Sequence, residues 1–115
     1  MTIRRGARLG RLGFYTLASA TLTAWPAVAE YHDEREVQLI MIDDRACTFF
    51  ILHSVAQADP VVPSSPWFAL PKTHPNYAEL NAMLLTAKAS KARVNVKTNG
   101  QIACGHGAVD TLSIL

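Results

Sequence analysis

A chain of 115 residues, 50% of them hydrophobic, has room for one small domain and no second. Its formal charge of +2, from 11 basic and 9 acidic side chains, is unevenly placed: Arg4, Arg5, Arg8 and Arg11 precede every acid. From Glu30 onward seven bases face nine acids, a net −2, which excludes the basic stripe a nucleic-acid binder needs to neutralise phosphates.

The four arginines are followed by an uncharged apolar stretch, Leu12 to Trp25, ending at Pro26-Ala27-Val28-Ala29, an A-x-A cleavage pattern. The stretch is shorter than the roughly 20 residues a spanning helix needs. Residues 1–29 are therefore expected to be a cleaved signal peptide, which exports the protein to the periplasm or beyond and leaves no membrane insertion in the mature form. The competing reading, a buried N-terminal helix, sets four arginines beside an apolar run with no acidic partner.

Residues 30–36 are charged and read as a solvated lead-in to a single domain over residues 37–115. Val37 to Ile42 is a β-branched-rich run, so a strand is expected. After the turn-type cluster Asp43-Asp44-Arg45, Cys47 to His53 reads as a second strand that forms a hairpin with the first. Both strands are apolar on successive residues, so their outer face also needs cover. A neighbouring subunit would supply it; the alternative is that a small domain exposes some apolar surface.

Residues 54–66, with Pro60, Pro63 and Pro66, form a long loop, and Trp67 to Leu70 a short third strand. Tyr77, Leu80, Met83, Leu84 and Ala87 then recur at helical spacing, the signature of a helix packed on a core. Pro75 suits the first helical position, and Asn76 with Glu79 a capping box. Ala92 to Lys97 alternates as a half-buried strand, Asn99-Gly100 reads as a turn, and Gly105-His106-Gly107 as an irregular loop before a last strand, Val109 to Leu115.

The fold class is therefore mostly β with one helix, in the order β-β-β-α-β-β. That order is the one a five-stranded OB-fold barrel uses. Cys47 follows the loop between strands one and two, and Cys104 lies between strands four and five. Those loops share one end of such a barrel, and an even cysteine pair in an oxidising compartment is most simply a disulfide staple. A metal thiolate pair or two free thiols are the alternatives.

No sequence motif for catalysis is present. Asp43 and Asp44 are adjacent, so on a strand end they face opposite ways and cannot share a proton. The histidines His32, His53, His74 and His106 show no helical zinc spacing, and a nucleophile elbow, a P-loop and a dinucleotide fingerprint are all missing. His32-Asp33-Glu34 is at most a stray divalent-metal site. A non-enzyme without cofactor is expected. The stapled end would present Asp43, Asp44, Arg45, Asn99, Gln101 and His106, a polar set suited to a neutral polyol or glycan. Trp67, between Pro66 and Phe68, is the aromatic expected to be exposed, for stacking on a sugar or seating in a partner's groove.

Four segments carry a resemblance: the strand Cys47-Thr48-Phe49-Phe50-Ile51-Leu52; Pro66-Trp67-Phe68 ahead of the helix; Leu84-Leu85-Thr86-Ala87-Lys88 leading into Val94-Asn95-Val96; and Cys104 before the closing strand. By their pattern and order the chain resembles the small OB-fold binding subunits of AB-type bacterial toxins. These are the pertussis-like and subtilase-cytotoxin-like B subunits and, more distantly, the cholera-type enterotoxin B subunit. It also looks like small exported bacterial proteins that share a helix-end Leu-Leu-x-Ala and a later Cys-Gly. The toxin resemblance implies a glycan-binding homo-oligomer, a pentameric ring, without implying toxicity. Pertussis-like subunits carry more cysteines and are longer, and none of their sugar-contacting residues maps here. The second reading is a monomeric periplasmic or secreted accessory or inhibitor that binds another protein.

Overall fold

The computed structural model describes residues 28–115. All but the last two residues of the expected signal peptide lie outside the described residues. Five strands and one helix follow in chain order: β1 (Tyr31–Ile42), β2 (Cys47–Leu52), β3 (Trp67–Pro71), α1 (Tyr77–Ser90), β4 (Arg93–Ala103) and β5 (His106–Ile114). They form one mixed sheet. The strand order β1-β2-β3-β5-β4 returns to its start, because the first half of β1 pairs with β4 and its second half with β2. Only β3 and β5 run parallel, matching Phe68 with Gly107 and Ala69 with Ala108.

Alternation along the strands sorts the side chains into two clusters. Phe50, Leu52, Phe68, Leu70, Val94, Val96, Val109 and Leu112 face inward, where Leu80, Leu84 and Ala87 of α1 join them. The Phe50 and Phe68 rings stack with centroids 4.9 Å apart. Cys47, Phe49 and Ala69 face the other way and form a smaller cluster with Met41, Trp67, Ala103 and Cys104. The polar seam between helix and sheet is satisfied at Thr48, which is fully buried: its hydroxyl donates to Asn81 Oδ1 (2.9 Å) and accepts from the Tyr77 hydroxyl (2.7 Å). Among the described residues no helix is long and apolar enough to cross a membrane.

Four expectations are revised. Residues 31–36 are not a solvated lead-in but the first half of β1, with Tyr31 opposite Lys97 and Glu36 opposite Arg93. Backbone pairing with β4, which leaves no apolar alternation in the sequence, holds this segment. Its one inward ring is His32, edge-on to Phe68 with its Nε2–H donated to the Ala58 carbonyl (2.8 Å). Asn99-Gly100 is not a turn either. Five residues of β4, Thr98 to Ile102, oppose three of β5, Val109 to Gly107, so the pair sits in a bulge. The actual turn is Cys104-Gly105, both left-handed (φ 51° and 84°), as a two-residue hairpin turn requires.

The capping box is absent as well. Asn76 is the N-cap but makes no side-chain cap bond, and Pro75 lies one residue before it. His74 takes over: its Nδ1 accepts the Asn76 N–H (3.0 Å) and its Nε2–H donates to the Asp110 carbonyl (2.8 Å), tying the start of α1 to β5. The fourth revision concerns the outer face of β2, where no neighbour is needed over Phe49. Phe49 is fully buried by its own chain, under Arg45, His106 and the β4–β5 turn.

Candidate functional site

Cys47 and Cys104 form a disulfide that fastens the β4–β5 turn to the first residue of β2, as the strand order anticipated. This contact brings the β1–β2 turn and the β4–β5 turn together over the outer face of β2 and β3. Four of the seven candidate binding residues meet there. Arg45 is gripped by Asp43 through Nε and Nη2 (2.9 and 2.6 Å), and its backbone N–H bonds the other carboxylate oxygen (2.9 Å). The Arg45 guanidinium carbon lies 4.2 Å from the centre of the Phe49 ring. His106 stands edge-on to the same ring at 5.6 Å and tilts toward Trp67 at 6.2 Å. Ser65 Oγ approaches His106 Nδ1 at 3.4 Å.

The electrostatics follow from these contacts. Hydrogen bonding to Arg45 holds the Asp43 carboxyl below its ordinary range and raises the Arg45 guanidinium in turn. Burial, and secondarily the charge on Arg45, keeps the His106 imidazole below its ordinary value, so the neutral ring is favoured. The arrangement offers a forked cation, a carboxylate, a neutral imidazole and a half-buried indole within one rim.

Of the remaining candidates, Asp44 is exposed on the β1–β2 turn beside the rim, where its charge acts on Arg45. Asn99 and Gln101 sit elsewhere, exposed on the β4 bulge, where the Gln101 N–H bonds Asn99 Oδ1 (2.9 Å). Trp67 is half-buried: it packs on the outer cluster instead of standing free. Among the described residues no group of three or more His, Cys, Asp or Glu side chains is placed to hold a metal, and His32 turns inward to the Ala58 carbonyl.

Asp59 was not singled out from the sequence. It is 2% exposed, accepts the N–H groups of Val61 (2.8 Å) and Gly100 (3.1 Å), and so ties the proline loop to the β4 bulge. Gly107, beside His106, has no room for a side chain, since a Cβ there would meet the Cβ of Asp59 at 2.7 Å. The Asp59-Pro60 dipeptide signals a turn, and nothing local shows that the carboxylate is buried.

The chain matches no family model and none of the curated proteins it was compared with.

Proposed function

We propose that this chain is an exported, non-enzymatic binding module, an OB-fold barrel that takes a glycan at the rim of Asp43, Arg45, Trp67 and His106. The observation that carries the reading is the meeting of these four residues, from three separate stretches of the chain, on the outer face of β2 and β3 between two stapled turns. OB-folds take oligosaccharides and oligonucleotides on that face and those loops. The net −2 from Glu30 onward disfavours the nucleic acid. A half-buried indole beside donors and acceptors gives a sugar both an apolar face and hydrogen bonds. No cofactor enters this reading.

A glycan array tests it, probed with the oxidised protein and with Trp67→Ala. Selective binding that falls by roughly tenfold or more in the variant is expected. An array that stays blank for the unaltered protein counts against glycan recognition.

The toxin-like resemblance extends the proposal to a pentameric ring, for which exposed Leu39 and Ile42 of β1 are apolar surface a neighbour would cover. One observation favours the second reading, a monomeric accessory or inhibitor that binds another protein: Phe49 is already covered from within the chain. Cross-linking in the native cell envelope would then capture a partner through the same rim, and capture that survives Arg45→Ala and Trp67→Ala would count against it.

A further inference from the structure

A second concavity lies far from the rim, a cleft of about 260 Å³ lined by Glu34, Arg35, Glu36, His53, Ser54 and Arg93. His53 and Ser54 follow the last residue of β2, whereas Cys47 begins it. Six residues of extended chain, roughly 20 Å, therefore separate the cleft from the disulfide.

Its walls are irregular in three ways. β1 shifts register on either side of it, between His32 and Arg35 against β4 and between Val37 and Leu39 against β2. Bulges of this kind re-aim side chains and recur beside binding sites. Glu34 (φ 55°) and Ser54 (φ 62°) are left-handed although neither is glycine, and strained residues of this kind gather at ligand sites. Finally, Arg35 Nε is buried with no hydrogen-bond partner, an exception native structures keep rare.

The charges decide what would fit. Two guanidinium groups and two carboxylates line the cleft, and the one ion pair among them, Arg93 with Glu34 at 3.5 Å, is loose and mostly exposed. A simple anion would be repelled by Glu34 and Glu36, and a simple cation by Arg35 and Arg93. A molecule with both charges satisfies both sets. The volume is below that of drug-sized pockets, which limits the occupant to about the size of a free amino acid.

We propose that the cleft between the β1 bulges and the end of β2 binds a small zwitterion, with its carboxylate toward Arg35 and Arg93 and its ammonium toward Glu34 and Glu36. A rotamer change that draws the Arg35 guanidinium outward onto the carboxylate gives its orphaned N–H an acceptor. This site is independent of the glycan reading, being at the other end of β2.

The test is an amide chemical-shift titration of the isotope-labelled, oxidised protein. Glycine, β-alanine and γ-aminobutyrate set the two charges progressively further apart; acetate and methylammonium are the single-charge controls. Saturable shifts confined to residues 34–36, 53–54 and 93 with at least one zwitterion, and with neither control, are expected. Arg35→Gln is expected to weaken them roughly tenfold or more. Should that variant not fold, Arg93→Gln, at an exposed position, replaces it with the same expected loss. Absence of saturation with all three zwitterions at tens of millimolar overturns the proposal. Equal saturation by acetate also overturns it, because the cleft would then be a simple anion site.

Discussion

Gly107 and His106 are neighbours with opposite demands, one for the absence of a side chain and the other for a large flat one. Gly107 lets the Asp59 carboxylate reach the β4 bulge, so Gly107→Ala forces the proline loop and β5 apart. Overpacking of this kind costs about 1–3 kcal/mol, and a denaturant midpoint lowered to match that loss of unfolding free energy is expected. An unchanged midpoint would show that the loop yields freely and that Asp59 does not fix it.

His106 makes the rim sensitive to acid. Its folded-state value lies below the ordinary one through burial and the nearby Arg45, so the unfolded chain binds the proton more tightly. Its contribution is therefore complete above the ordinary histidine value of about 6.5 and is lost as the pH falls below it. Asp43 is shifted in the same direction, by hydrogen bonding to Arg45 rather than by burial, and has the same consequence in a lower window. Its support is present above its unfolded value and disappears as the pH drops through the depressed folded one. Unfolding curves taken between neutral pH and pH near 5 should show a decline that His106→Phe reduces. A decline identical in the variant would assign it to other groups.

At the scale of elements, the β4–β5 hairpin does the most unusual work. Its turn reaches back over the outer face of β2, and together with Arg45 and His106 it buries Phe49, a side chain that would otherwise be left in water. Burying a phenylalanine contributes about 1.5–3 kcal/mol. The disulfide spans 57 positions of sequence, and closing so long a loop in the unfolded chain is worth about 4 kcal/mol in the chain-entropy model. Replacing both Cys47 and Cys104 by alanine is expected to cost about 2–5 kcal/mol. Trp67 is the only tryptophan from Glu30 onward and packs on the same cluster, so its fluorescence reports whether the rim loosens before the fold is lost. Mass spectrometry showing two free thiols in the native protein would remove the staple from this account.

For the whole molecule, the returning strand order matters most, because each strand pairs with two others, every pairing covering part of its length. That leaves few free backbone groups to recruit another chain by strand addition. Assembly would have to use side chains instead, and the exposed apolar ones include Leu39 and Ile42 on β1, Leu85 on α1 and Ile102 on β4. Light scattering after size exclusion separates the two proposed readings directly. A native mass near five subunits supports the ring, and Leu39→Lys with Ile42→Lys should then break it to monomers. A monomeric mass for the unaltered protein removes the ring and leaves the rim as the binding surface of a single chain.

The order of elements, the inward stripe of α1 at Leu80, Leu84 and Ala87, and the pairing of Cys47 with Cys104 were all legible in the sequence. Each rests on a local period or on a count, and such signals survive without knowledge of the fold. The four residues of the rim, Asp43, Arg45, Trp67 and His106, were also all named from the sequence, the first two as turn residues. What the tertiary structure alone decided was which residues meet. Charged residues 31–36 became a strand because β4 supplied the other half of their hydrogen bonds. Asn99-Gly100 became a bulge because a cysteine and a glycine beyond it took the left-handed turn. Asp59 was buried, and Phe49 covered, by segments more than 40 residues away. Contacts over such separations depend on chain closure and packing rather than on neighbouring residue types, and so no local pattern records them.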